Sequence, residues 1–316
     1  MNFHPLAGVY GAVVGVRNAL YDQGWLRSRS LSGPVISVGN VSAGGSGKTP
    51  FVILLGGLLK ARGIRFDVLS RGYGRQTHGV LLVDPGGLPG DFGDEPLLIA
   101  RRLQIPVVVG EDRYEAGRFA EARLGAQIHL LDDGFQHRGL ARAFDIVLVT
   151  PEDARDRLLP AGRLREPLHS MRRADAVVLT GGASRESFPL EGKTVWRVRR
   201  GMVVENIPSR PVVFCGIARP QNFLLQLRTA GVDPVAEAFF HDHHAYAEKD
   251  IRDLLELRQR SEGDGFVTTE KDAVNLGGYL DALAPLAVVP VKMELAEADN
   301  AVDTMLRVIE ERRTRS

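Results

Sequence analysis

A net charge of +1 over 316 residues, with 44% hydrophobic and 25% charged residues, is ordinary for a globular protein of one or two domains. This balance excludes a global electrostatic field that would recruit nucleic acid. The single cysteine, Cys215, excludes an internal disulfide, and its apolar surroundings predict a buried thiol in a reducing compartment.

The first predicted element is an amphipathic helix within residues 1–30. Apolar residues recur at helical spacing between Leu6 and Val16, and Arg17 closes the stretch. The stretch is too short to span a bilayer. The residues alone leave two interpretations open, a helix lying among lipid headgroups and a helix packed on the protein's own core.

A glycine-rich loop stands between two apolar runs, at Ser42-Ala43-Gly44-Gly45-Ser46-Gly47-Lys48-Thr49. The order strand, loop, helix is typical of a P-loop, whose backbone N–H groups surround phosphate oxygens. Lys48 can then reach the β- and γ-phosphates, and the Thr49 hydroxyl can hold Mg²⁺. The motif departs from the usual glycine at Ser42, and the Gly44-Gly45 pair can supply the backbone freedom instead. The loop predicts a bound nucleoside triphosphate.

Apolar strands alternate with helical segments over residues 31–190. This alternation predicts an α/β fold of the P-loop NTPase type, with a mostly parallel sheet and helices on both faces. Within residues 191–208, apolar and polar residues alternate on either side of a central glycine, and this pattern predicts a two-stranded linker. A smaller α/β domain is predicted for residues 209–316, ending in a solvated C-terminal helix.

Two acidic pairs are candidates for chemistry. Asp132 ends an apolar strand, where a Walker B acid would ligate Mg²⁺, and Asp133 either assists it or caps the next turn. Asp94 and Glu95 stand at a predicted helix start. One of them could bind Mg²⁺ and the other accept a proton from a hydroxyl, or both could simply cap the helix.

The run His241-Asp242-His243-His244 lacks the separated ligand pairs of a structural zinc site. A single histidine acting with a carboxylate is therefore a better interpretation than a metal cage, and a solvated surface loop remains the alternative. The sequence contains no Asn-Lys-x-Asp motif for reading guanine, which favours ATP over GTP.

Six segments occur in order and together resemble the tetraacyldisaccharide 4'-kinase family of lipid A biosynthesis: Gly39–Pro50, Ser70–Arg75, Gly93–Pro96, Asp132–Arg138, Asp242–His244 and Thr269–Asp272. The resemblance extends from the N-terminal helix to about residue 295. The polar residue at Ser42 is also similar to that family's own P-loop.

The resemblance implies an ATP- and Mg²⁺-dependent kinase at the cytoplasmic face of the bacterial inner membrane. Its acceptor would be the 4'-hydroxyl of an acylated glucosamine disaccharide 1-phosphate, and its N-terminal helix would contact the membrane surface. It implies Asp94 as the base, assisted by His243 or His244, and residues 42–49 on the phosphates. The implied metal residues are Thr49, Glu95, Asp132 and Asp133, and the implied sugar or 1-phosphate residues are Tyr73, Arg75, Gln136 and His137.

Two other functions stay open. A P-loop metallochaperone or GTPase-type regulator would use the histidine run to bind metal. A soluble small-molecule kinase would pack its N-terminal helix inside the fold. The sequence leaves the oligomeric state undefined and does not exclude a monomer.

Overall fold

The computed structural model describes residues 5–315. Within that range the strands are β1 (Val35–Asn40), β2 (Phe66–Ser70), β3 (Leu81–Leu82), β4 (Val107–Val109), β5 (Ile128–Asp132), β6 (Phe144–Val149), β7 (Ala176–Leu179), β8 (Thr194–Met202), β9 (Pro211–Cys215), β10 (Ala236–Phe239), β11 (Gly265–Thr269), β12 (Leu286–Val289) and β13 (Val291–Leu295). The α-helices are α1 (Pro5–Asp22), α2 (Lys48–Ala61), α3 (Pro89–Phe92), α4 (Asp94–Leu103), α5 (Arg113–Arg123), α6 (Pro220–Thr229), α7 (Glu248–Arg260), α8 (Glu270–Leu276) and α9 (Ala298–Arg315).

The larger of two sheets has the strand order β13-β8-β7-β6-β1-β5-β2-β4-β3. Neighbouring strands are parallel except at the two edges, where β13 and β3 are antiparallel to their neighbours. The central strands are buried along their whole length because helices cover both faces, which is why they read as continuous apolar runs. The predicted α/β fold with a mostly parallel sheet is confirmed.

The smaller sheet has four parallel strands in the order β10-β9-β11-β12. Apolar clusters cover both of its faces. Cys215 is completely buried at the end of β9, and this burial raises the pKa of its thiol to about 12. The thiol therefore stays protonated, and it packs as a small apolar group.

The connection between the two sheets differs from the predicted linker. Residues 191–208 contain one long strand, β8, and its antiparallel partner is β13 from near the end of the chain. The chain therefore leaves the larger sheet after β8, builds the smaller sheet, and returns through β13. An ion pair between Arg102 and Glu270 also joins the two parts.

The C-terminal helix is also placed differently from its prediction. Helix α9 packs on the larger sheet, where Ala301, Val302, Met305 and Ile309 are buried in the main apolar core. These residues form an apolar stripe along one face of the helix. The many charged residues on its other faces are the reason that the sequence predicted a solvated helix. The helix thus belongs with the larger part of the fold and is not a solvated cap of the smaller one.

The loops that carry the functional residues leave the larger sheet at one edge. Strand β1 lies between β5 and β6, and β2 lies on the other side of β5. Since these strands are parallel, the segments after β1, β2 and β5 all emerge at their shared carboxyl end. Helix α1 contains no segment long and apolar enough to cross a membrane, and neither does any other helix within residues 5–315.

Gly39, at the end of β1, tests how tightly this edge is packed. A methyl group on Gly39 would lie 2.5 Å from the Cβ of Phe135 and 2.7 Å from the backbone N of the same residue. Because these distances are too short, we expect Gly39→Ala to destabilise the protein by about 2 kcal/mol or more. Gly57 is the matched control, because it lies in α2 with open space around it. Gly57→Ala should stabilise the helix by roughly 0.5–1 kcal/mol. Urea unfolding measures both, and equal stability of the two variants would contradict the packing argument.

Candidate active site

A cavity of about 830 Å³ opens at the carboxyl edge of the larger sheet. Its floor is the loop from Ala43 to Thr49, and its walls come from both sheets and their helices. The larger part of the fold contributes carboxylates, and the smaller part contributes His243 and Lys271. The cavity therefore lies between the larger and the smaller part of the fold.

The loop has the backbone conformation that a phosphate cradle needs. Gly44, Gly45 and Gly47 have positive φ angles of 65°, 73° and 84°, a region that side chains with a Cβ rarely adopt. Lys48 begins α2 and turns back over the loop, with its Nζ 3.2 Å from Asn40 Oδ1 and 3.4 Å from Asp133 Oδ1. The ammonium group is thus already aimed across the phosphate position.

Ser42 does not line this cavity. It is completely buried and pairs with Leu164 through an isolated bridge, so it lies beneath the loop. The prediction placed Ser42 on the phosphates, whereas its side chain is buried and the residues that line the cavity begin at Ala43. Arg163 supports the same segment by donating hydrogen bonds to the carbonyls of Ala43 and Gly44.

Three carboxylates crowd the wall next to the loop. Burial raises the pKa of Asp132, and the charges of Glu95 and Asp133 raise it further. Burial also acts to raise the pKa of Asp133, but the charges of Lys48 and Arg165 outweigh burial and lower it. The pKa values of Asp132 and Asp133 are therefore shifted in opposite directions, although the two residues are adjacent in sequence.

The same wall fits a magnesium ion. Asp132 accepts a hydrogen bond from Ser70 at one oxygen, while its buried Oδ1 has no hydrogen-bond partner among the described residues. Thr49 and Glu95 also line the cavity, and the charge of Glu95 acts on Asp132. Hard oxygen ligands of this kind suit Mg²⁺, which takes only one or two carboxylates and completes its shell with phosphate and water. Residues 5–315 contain no closed cluster of three or more His, Cys, Asp or Glu ligands, and such a magnesium site needs none.

Asp94 is held by three side chains from the smaller part of the fold. His243 Nδ1 donates to both carboxylate oxygens at 3.0 and 2.9 Å, and Asn275 Nδ2 donates at 3.1 Å. Lys271 Nζ lies 3.8 Å from the same carboxylate. Burial acts to raise the pKa of Asp94, but His243 and Lys271 outweigh it and the net pKa is lowered. Asp94 is thus an ionised carboxylate at neutral pH.

Two of the residues that build the site have unusual backbone geometry. Asp133 has a φ angle of 51° and His243 one of 59°, both in the left-handed region. Asp and His tolerate this region better than most residues, but it still costs free energy. The turn at His243 directs its ring to Asp94, where it also contacts Tyr73 at a centroid distance of 5.0 Å.

The structure separates the remaining predicted residues into two groups. Tyr73, Gln136 and His137 line the cavity, and their contact with the acceptor stays a prediction. Arg75 does not, because its guanidinium is bound to Glu111 Oε1 at 2.6 Å. His244 is also directed elsewhere and hydrogen-bonds to other groups of the smaller part: His241 and Asp250. The structure therefore pairs His243, and not His244, with Asp94.

Several residues of the site carried no functional prediction. Arg165 binds Asp133 at 2.8 Å, and Lys271 and Asn275 contact Asp94. Lys271 falls within a recognised segment, Thr269–Asp272, but nothing in the local sequence indicates what it faces. These partners are 32 to 181 residues apart, so only the folded chain brings them together.

The parallel sheet, the glycine-rich cradle with its lysine, and the adjacent carboxylates define a nucleoside triphosphate-binding protein of the P-loop class. Within that class, the chain belongs to the LpxK family, tetraacyldisaccharide-1-P 4'-kinase, whose model matches residues 1–310. The family membership inferred from the six motifs is confirmed.

Relatives named tetraacyldisaccharide 4'-kinase match nearly the whole chain. That of Koribacter versatilis is 50% identical and the alignment covers 98% of this chain and 99% of the relative. That of Aquifex aeolicus is 40% identical over 89% of this chain and 91% of the relative. A crystal structure of LpxK from Aquifex aeolicus in complex with ATP superposes with a TM-score of 0.79 at 36% identity, covering 96% of this chain and 98% of that one.

Lys48 is the charge on which triphosphate binding should depend most. We expect Lys48→Met to weaken binding of a fluorescent nucleoside triphosphate by roughly 30-fold or more, because a charge-assisted contact to phosphate is lost. Lys249→Met is the control, since Lys249 is exposed on α7 away from the cavity. Comparable affinities for the two variants in a titration would exclude Lys48 from the phosphate site.

Proposed function

We propose that this protein transfers the γ-phosphoryl group of ATP to the 4'-hydroxyl of an acylated glucosamine disaccharide 1-phosphate, a lipid A precursor. Its family consists of kinases of this kind, and an ATP-dependent kinase fits the cradle at Lys48. The observation that carries the chemistry is the Asp94–His243 pair, because His243 lines the phosphate cavity and its Nδ1 lies 2.9 Å from the ionised Asp94 carboxylate.

Asp94 serves as the base in this reaction. The 4'-oxygen forms a bond to the γ-phosphorus, and the bond from that phosphorus to the β–γ bridging oxygen breaks. The electron pair of the broken bond leaves with ADP, and the proton of the hydroxyl passes to the Asp94 carboxylate. A carboxylate with a lowered pKa suits this step, since the loose transition state of phosphoryl transfer requires little proton removal early in the reaction.

His243 and Lys271 position this base. His243 donates to both oxygens of Asp94 and fixes its plane, and Lys271 also donates to Asp242 at 2.8 Å. Thr49, Glu95 and Asp132, with Asp133 adjacent, would hold Mg²⁺. Mg²⁺, when bound, neutralises charge on the phosphates. Lys48 and the loop N–H groups orient the triphosphate.

The acceptor sugar binds on the side of the cavity lined by Tyr73, Gln136 and His137. Gln136 is fixed by a hydrogen bond to the Asn40 carbonyl at 2.8 Å, so its position is coupled to the P-loop. Burial, followed by the charge of Arg113, lowers the pKa of His137 to about 4, which keeps its ring neutral. Arg71 lines the cavity and takes the role that the sequence suggested for Arg75.

The decisive measurement uses γ-labelled ATP with tetraacyldisaccharide 1-phosphate in mixed micelles and an unacylated glucosamine disaccharide as the soluble control. Labelled lipid should form, and the soluble sugar should remain unlabelled. We expect Asp94→Asn to lower kcat by about 10²-fold or more with little change in KM for ATP. His243→Ala should lower kcat by about tenfold, while His244→Ala should stay within about twofold of the unchanged protein. Equal effects of the two histidine variants would contradict the assigned pair.

We also propose that the protein is peripheral at the cytoplasmic face of the inner membrane and docks through α1. Leu6, Val9, Val13 and Val16 are each at least 60% exposed and recur along one face of this helix. The opposite face is anchored to the protein: Val14 is buried, and Asn18 Nδ2 donates to Glu166 Oε2 at 2.7 Å. An apolar face exposed on a helix held in place suits an interfacial helix, and the acyl chains of the acceptor lie in the same interface.

Aspartate substitutions on this face test the docking. The double variant Val9→Asp/Val13→Asp should lose most of its binding to vesicles of anionic and zwitterionic phospholipid, because each charge opposes insertion of the helix. Leu225→Asp is the matched control, since Leu225 is an exposed apolar residue on α6. Vesicle flotation measures both variants, and retained binding of the double variant would rule out α1 as the docking element.

A further inference from the structure

An arginine from the smaller part of the fold lies directly against the P-loop. Arg219 immediately precedes α6, yet a methyl group on Gly45 would lie 2.9 Å from its Nε and 3.0 Å from its Cδ. Arg219 also lines the cavity beside the loop. Its guanidinium group therefore lies at the phosphate cradle, although its backbone belongs to the connection between β9 and α6 in the smaller part of the fold.

The hydrogen bonding of this guanidinium is incomplete. One terminal nitrogen forms an ion pair with Glu152 at 3.0 Å, and the side chain is only 13% exposed. Its buried Nε has no hydrogen-bond partner within residues 5–315. A buried donor without a partner costs free energy, and a phosphate oxygen would satisfy it. The guanidinium thus keeps donor capacity on the side that faces the loop.

The surrounding charges also favour an anion at this position. Arg200 lines the same cavity, and burial followed by the charge of Arg219 lowers its pKa. Two arginines that repel each other are stabilised when an anion lies between them. Glu152 is the acidic group paired with Arg219, and its side chain is 54% exposed. One exposed carboxylate balances only part of this positive charge.

We propose that Arg219 crosses from the smaller domain to contact the phosphate chain of the bound nucleotide, and stabilises the charge that builds up there during transfer. The proposal rests on the proposed kinase function. An arginine suits the position because its planar fork binds two phosphate oxygens at once, and an arginine supplied to a P-loop from another part of the structure accelerates phosphoryl transfer. Glu152 holds the far side of the guanidinium and orients it.

The test compares Arg219→Ala, Arg219→Lys and Glu152→Gln in the full chain. We expect Arg219→Ala to lower kcat on the order of 10³-fold and Arg219→Lys to recover part of that loss. Glu152→Gln should keep kcat within about fivefold, since Glu152 only orients the guanidinium. Arg228→Ala is the control on α6, the helix that follows Arg219, because Arg228 is half-exposed and pairs with Glu237. It should behave like the unchanged protein.

Nucleotide binding supplies a readout that does not depend on the lipid. Arg219→Ala should weaken ATP binding by about tenfold and leave adenosine binding unchanged, which also shows that the variant is folded. An unchanged kcat and ATP affinity, or equal weakening for ATP and adenosine, would overturn the proposal. Equal losses for Glu152→Gln and Arg219→Ala would show that the ion pair only joins the domains. A protein that binds ATP through Arg219 but labels no lipid would refute the proposed function and leave the arginine contact intact.

Discussion

A buried, ionised carboxylate needs compensating charges and hydrogen bonds, and within residues 5–315 the side chains that supply them to Asp94 come from the other part of the fold. His243, Lys271 and Asn275 reach it from the smaller sheet and its helices, while Asp94 itself starts α4 on the larger one. The base is therefore complete only where the two parts meet. The return of the chain through β13 gives a physical reason for this arrangement, because two covalent passages hold the smaller sheet beside the larger.

Charge compensation across that boundary explains the composition of the cavity. Carboxylates of the larger part lie beside Lys48 and Arg165, and lysine and arginine of the smaller part lie opposite them. The neighbouring residues Asp132 and Asp133 illustrate the result. Asp133 is neutralised by two cations, whereas the pKa of Asp132 is raised by burial and by its acidic neighbours. A cation bound beside Asp132 would offset the repulsion between these carboxylates.

Local motifs were predictable from the sequence, and long-range contacts were not. The order of strand, loop and helix around Lys48 depends on neighbouring residues, so the P-loop and the strand-end Asp132 could be placed correctly. The choice between His243 and His244 was not predictable, because the contact of His243 with Asp94 joins residues 149 positions apart in the sequence. The guanidinium of Arg75 could bind a phosphate or a sugar, but it forms an ion pair with Glu111 instead. Glu111 is 36 residues further along the chain, so the sequence around Arg75 does not reveal this contact. The pairing of β8 with β13 and the packing of α9 likewise depend on contacts between distant segments.

The anchoring of α1 has a consequence for how the protein meets its acceptor. Tyr10 binds the carbonyl of Arg165, and Arg17 binds the carbonyl of Gln136 at 3.0 Å, so the helix is attached to the segments that line the cavity. Docking through α1 would therefore hold the cavity at a constant height and angle to the lipid surface. The search for the acceptor then becomes a two-dimensional diffusion within one leaflet. The turnover rate would depend on the mole fraction of acceptor among the surrounding lipids. It would not depend on the acceptor concentration calculated over the bulk solution.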